Sequence, residues 1–187
     1  MNTKHFANKK LLATLFGICI FLTIWIFLLK LCIPGRIHWD HVASLTMEEW
    51  FRFGLNPSKS LPIFCQTPQL LKEYIIEQTV NTIGFVPFGI IAPFVIKKRH
   101  ALLSGIAIIL AIEFTQLFAR MGGFDVIDMA TNTLGICIGM LVHKVFFSKL
   151  SSPTVDKLCK IFLAIFVPVA VYALYSIIFI FPGTLPA

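Results

Sequence analysis

Eight polar residues set the terms for this chain: Glu77, Asn81, Glu113, Gln116, Arg120, Asp125, Asp128 and Asn132 lie within or beside long apolar runs. A bilayer core penalises each such group, so their positions need a reason. Glu113, Gln116 and Arg120 follow an i, i+3, i+7 spacing and share one side of a helix. Asp125, Asp128 and Asn132 descend one face of the next helix, and Gly135 and Gly139 continue it. Glu77 and Asn81 share a face of an earlier one. Arg120 keeps its charge at any working pH, and its planar fork suits a carboxylate or a phosphate; Asp125 and Asp128 are its nearest partners in sequence. Glu113 falls about 10 Å further in, at ~1.5 Å per residue. It is protonated, paired with Arg120, or hydrated from an outward-facing cavity. With a proton it could serve as a general acid or donate a hydrogen bond to a lipid headgroup.

The elements that must position these residues are membrane helices. The 187 residues are 57% hydrophobic and 13% charged, with mean hydropathy +0.85. A soluble domain carries roughly 25% charged residues. The expected fold is therefore all-α, a polytopic membrane helical bundle of about five transmembrane helices forming a single membrane domain over 1–187. Spans are expected at about 11–31, 71–96, 101–119, 126–147 and 161–182, with a loop at 32–70. Leu11–Leu29 is uncharged and has no small-residue cleavage site, so it reads as a retained anchor. In the loop, Thr46–Phe53 resembles a short capped helix, and with Trp39 and Trp50 it is suited to the membrane interface or to a solvated loop. The 148–160 segment reads as a polar, basic connection, and Pro168 as a bend in the last span.

Charge fixes the expected orientation. Ten of the sixteen lysines and arginines fall in the N-terminal tail, the 97–100 turn and the 144–160 segment, all on one side of a five-span topology. That side is expected to be cytoplasmic, N-terminus included. The 32–70 loop, the 120–125 turn and the polar residues then belong to the outer half of the membrane. The net charge of +7 comes with no nucleic-acid motif, and no nucleic-acid partner is expected.

Plainer roles stand beside the chemical ones. Asn81, Gln116 and Asn132 can act as interhelical glue, at ~0.6–2 kcal/mol each. Gly135-x3-Gly139 is a small-residue pattern for close helix approach, and Pro87 and Gly89 belong with it as packing residues. Pro87 gives a kink, or opens its helix for water or a ligand. Phe85 and Phe88 read as packing. No two histidines have zinc spacing, His38 and His41 included, and no metal or cofactor is expected. Cys19 and Cys137 read as small hydrophobes, while Cys32 and Cys65 flank one loop and could pair. No catalytic residue can be assigned: Thr115 and Thr131 lack an evident base, and Gly-x-Ser-x-Gly is absent. An enzyme here would need another route, such as a divalent ion on Glu113, Asp125 and Asp128 activating water.

Two strings carry a family resemblance. Asn81-Thr-Ile-Gly-Phe-Val-Pro-Phe-Gly89 resembles the Asn-x3-Phe-x-Pro-Phe-Gly signature of VanZ-like membrane proteins. Glu113-Phe-Thr-Gln116-x3-Arg120-x4-Asp125-x2-Asp128-x3-Asn132-x2-Gly135-x3-Gly139 is similar to that family's second signature. The resemblance implies a multi-pass protein of the bacterial plasma membrane that is associated with low-level resistance to teicoplanin-type glycopeptide antibiotics. The partners it suggests are membrane lipids, with a lipid-linked cell-wall precursor or the antibiotic itself as candidates. An enzyme modifying a lipid-linked envelope precursor, and a non-catalytic partner of an envelope complex, are the competing functions.

Overall fold

The computed structural model describes residues 8–29, 46, 48, 55, 65–118 and 124–175. Among these residues there is no β-strand, and five long helices form the bundle: α1 (Lys9–Leu29), α2 (Pro68–Val95), α3 (Lys98–Phe118), α4 (Val126–Val145) and α5 (Ser152–Tyr175). A short 3₁₀ turn, Phe147–Lys149, links the last two. Four helices among the described residues are long and apolar enough to cross a membrane: α2, α3, α4 with its following turn, and α5. This is a multi-pass, all-α membrane protein, as its composition led us to expect.

Local sequence explains where the helices begin. Thr67 accepts the Leu70 N–H at 3.2 Å as an N-cap, and Pro68 follows at a position where a missing N–H costs nothing. α2 therefore starts three residues ahead of the expected span. Asp125 caps α4 in the same way, and Asn8 accepts the Leu11 N–H at 3.1 Å. α5 starts nine residues earlier than expected, because most of the basic 148–160 stretch is its first turns. Pro153 sits in the opening turn, and Val155 and Cys159, four apart, are buried despite Lys157 and Lys160 around them. α5 runs on through Pro168, and α2 through Pro87 and Pro93. The Thr46–Phe53 helix, the His38–His41 pair and the Cys32–Cys65 pair lie outside the described residues in whole or in part.

Lipid tails are as apolar as leucine, so shape and polar contacts, more than hydrophobicity, hold membrane helices together. α2 and α4 meet most closely. Cβ atoms built on Gly135 and Gly139 would run into the Thr82 and Val86 carbonyl oxygens, and one on Gly89 into that of Ile136. At the crossing, such a Cβ on Gly139 would lie 2.8 Å from Gly89 Cα, so only glycine allows this backbone approach. α3 seats Gly105 against Ile136 and Phe88. α1 buries Leu12, Leu15, Cys19 and Leu22, three and four apart, and sets Phe16 against Phe88 and Phe27 against Phe85 as tilted ring pairs at 5.5 and 4.9 Å. α5 packs on the outside of α1.

The contacts at the helix ends give the direction of each helix. Gln116, near the end of α3, reaches the Phe27 carbonyl near the end of α1 at 3.3 Å. The starts of α2 and α4 meet through Gln78 and Asp128, and their ends through His143 and the Ile90 carbonyl at 2.9 Å. The end of α3 meets the start of α4 where the Asp125 N–H reaches Glu113 at 3.0 Å, so α1 to α4 alternate in direction. The starts of α2 and α4 and the ends of α1 and α3 share one end of the bundle, called the junction below.

Candidate functional site

The junction is built on the N-terminus of α4, where four backbone N–H groups lack helical partners and the helix dipole favours negative charge. Asp125 Oδ1 accepts the Ile127 N–H at 2.7 Å. The Asp125 N–H itself donates to Glu113 Oε2 at 3.0 Å, so a carboxylate from α3 takes the place that a glutamate three residues into α4 would otherwise fill. Asp128 stands in the first turn of α4 and accepts from Gln78 Nε2 at 2.8 Å. Gln78 Oε1 in turn accepts from the Thr131 hydroxyl at 2.9 Å, which ties α2 to α4 through one side chain.

Below this polar rim the groups are buried. Asn81 is 0% exposed, and Glu113 and Asn132 are 1%. Gln116, at 5%, is held by the Phe27 carbonyl. Asn132 Oδ1 is buried and has no hydrogen-bond partner. An unmatched buried polar atom costs ~1–3 kcal/mol, and among the described residues Trp25 Nε1 and Asp156 Oδ1 share that state.

Asp125 lies just ahead of the membrane-spanning part of α4. Burial first, and the neighbouring Asp128 and Glu77 charges next, push its carboxyl up, against the pull of its bonds from the Ile127 and Asp128 N–H groups; the outcome is about 6. Glu77 is half-buried beside this group. Among the described residues no three His, Cys, Asp or Glu side chains are grouped to hold a metal ion.

The structure brings Asn81, Glu113, Gln116, Asp125, Asp128 and Asn132 to the junction, with Glu77 at its edge. Arg120 lies outside the described residues. Gly89, Gly135 and Gly139 lie at the α2–α4 contact beneath it, and Pro87 lies within the same stretch of α2. A family model described as VanZ/LLP1 matches residues 11–147. The chain belongs to the VanZ/LLP1 family. The VanZ/LLP1 match runs from α1 through α4, takes in the whole junction and stops before α5. No curated protein and no solved structure matches the chain.

Two residues of the junction escape a reading of single faces. Gln78 contacts Asp128 and Thr131 directly, yet Glu77 beside it draws attention first because it is charged. The signal for Gln78 lies in register: 78, 81, 85, 88 and 92 recur at three and four residues, and all but Gln78 are fully buried. Thr131 looks like a lipid-facing residue beside Asn132, and only the partner helix shows that its hydroxyl is used.

Proposed function

We propose that this VanZ/LLP1-family protein resides in the bacterial plasma membrane and lowers susceptibility to teicoplanin-like glycopeptide antibiotics. On this reading the junction faces the outer side and binds or alters an envelope lipid or lipid-linked wall precursor. Glu113, Gln116, Asp125, Asp128, Asn132, Asn81 and Glu77 carry the interaction, and Arg120 supplies the cation that recognises an anionic group. Family membership supports the biological role. The observation that carries the site is the fully buried Asn81, Glu113 and Asn132 beneath a rim of carboxylates, with Asn132 Oδ1 left without a donor. The basic residues support the outward placement, because Lys97, Lys98, Lys144 and Lys149 lie at the opposite end of the bundle.

One observation favours a second reading. The Asp125 N–H bond to Glu113 could make Glu113 a residue that docks α4 on α3 and nothing more. The Glu113→Gln variant separates the two, because an amide oxygen still accepts that N–H. In a sensitive Gram-positive host, expression-matched Glu113→Gln should lose the resistance that wild type confers over empty vector. A docking role alone predicts normal protein level and unchanged resistance.

A further inference from the structure

A groove of about 340 Å³ runs along α2 beside α4, lined by Tyr74, Gln78, Thr79, Thr82, Ile83 and Thr131. Its threonines are apolar in effect. The Thr79 hydroxyl donates to the Ile75 carbonyl at 2.7 Å, that of Thr82 to the Gln78 carbonyl at 2.9 Å, and that of Thr131 to Gln78 Oε1 at 2.9 Å. With those hydroxyls engaged by α2 carbonyls and by Gln78, the surface offered is mainly methyl and methylene. Ile83 is 62% exposed, so the groove opens sideways from a membrane-spanning helix, where the surroundings are lipid.

Its length and depth match a lipid. At ~1.5 Å per residue, Tyr74 lies about 9 Å and Ile83 about 22 Å from the start of α2. The 28 residues of α2 span about 42 Å, against a hydrocarbon core of ~30 Å. The Tyr74 end of the groove therefore falls near the headgroup region and the Ile83 end near the middle of the bilayer. The groove also borders the acidic rim: Gln78, which lines it, donates to Asp128 at 2.8 Å, and Asp125 caps the same turn of α4. Carboxylates there favour a headgroup that carries an ammonium over one that ends in a neutral glycerol, and the phosphate common to both is left to Arg120.

We propose that the groove seats one acyl chain of a membrane lipid whose headgroup carries an ammonium, with the ammonium against Glu77, Asp125 and Asp128. This inference rests on the junction being the functional site, and it names the class of molecule that site takes. The chain lies along Thr79 and Thr82, and the headgroup meets the rim that Gln78 and Asp128 form.

The test is native mass spectrometry of the purified full-length protein with equimolar dioleoyl phosphatidylethanolamine and dioleoyl phosphatidylglycerol. Wild type should retain the ethanolamine lipid about tenfold over the glycerol lipid, a difference of ~1.4 kcal/mol. Thr79→Trp fills the groove from an exposed position and should bring ethanolamine-lipid adducts to background. Leu103→Trp, on the 62% exposed lipid face of α3, should leave them unchanged. Equal retention of both lipids by wild type overturns the proposal, whatever happens to the variants, and so does full retention by a monodisperse Thr79→Trp. Antibiotic susceptibility is read separately. Lipid selectivity lost on Thr79→Trp but no resistance from wild type supports the groove and rejects the resistance reading. Resistance without lipid selectivity does the reverse.

Discussion

The α2–α4 seam and the α1–α5 contact are both helix pairs in the same membrane protein, and they are held in different ways. The seam brings backbones together at Gly89, Gly135 and Gly139 and closes one end with the Gln78, Asp128 and Thr131 hydrogen bonds. α5 meets the bundle with Val155, Cys159 and Ala173 buried and Trp25 set edge-on to Tyr172 at 6.4 Å. Only 11% of its apolar window is buried. In lipid there is little general drive to bury apolar surface, so the pair with small residues and polar links is the specified one. The VanZ/LLP1 match covers the seam and leaves α5 out.

The sharpest way to break this comparison is to add one methyl group in two places. Gly139→Ala drives a Cβ into the Val86 carbonyl and should cost about 1–3 kcal/mol, because the seam must open. Gly17→Ala, where a Cβ meets nothing within 4 Å, should instead stabilise α1 by about 0.5–1 kcal/mol. Thermal stability in detergent, followed by size exclusion, reads both; shifts of the same sign would mean that the seam is not closely packed.

A middle-sized effect tests the polar links. A double-mutant cycle on Gln78→Leu and Asp128→Ala, each of which removes the bond, should give a coupling of about 0.6–1.7 kcal/mol. The matching cycle on Trp25→Leu and Tyr172→Leu should give about 0.5 kcal/mol, the low end for an aromatic pair. Equal couplings would remove the distinction between the two contacts.

The smallest effect is a pH dependence at the rim. The Asp125 carboxyl rises from 3.8 to about 6 on folding, so the folded protein binds more protons than the unfolded chain between those values. The stability it contributes is complete below about pH 4 and is lost as pH climbs through about 6. Asp125→Asn keeps a capping oxygen and should flatten that slope, whereas Asp125→Ala should cost about 1 kcal/mol at neutral pH through the lost cap. Wild type and Asp125→Asn whose unfolding temperatures change in parallel between pH 4 and 7 would contradict this account.

Much of this architecture is legible in the residues themselves. Apolar run length gives the helices, and period gives the buried face of α3, because Glu113 and Gln116 share a side with Ile109 and Ile112. The start of α5 was not legible, since Lys157 and Lys160 mark a loop more loudly than Val155 and Cys159 mark a face. The partner of Asp128 was hidden for another reason. Charge points to Arg120, which lies outside the described residues, and gives no hint of Gln78, a neutral group fifty residues away that only the crossing of α2 on α4 brings near. Spacing along one helix carries no information about such a partner.

The central claim is that function lies at the junction and not at the α1–α5 contact, and teicoplanin susceptibility tests it most directly. We would compare empty vector, wild type, Glu113→Gln, Asp128→Asn and the paired Trp25→Leu, Tyr172→Leu variant, all at matched protein level in a sensitive Gram-positive host. The account predicts that wild type and the Trp25, Tyr172 variant protect alike, while Glu113→Gln and Asp128→Asn fall to the level of empty vector. Protection kept by both junction variants and lost with the α1–α5 pair would contradict it.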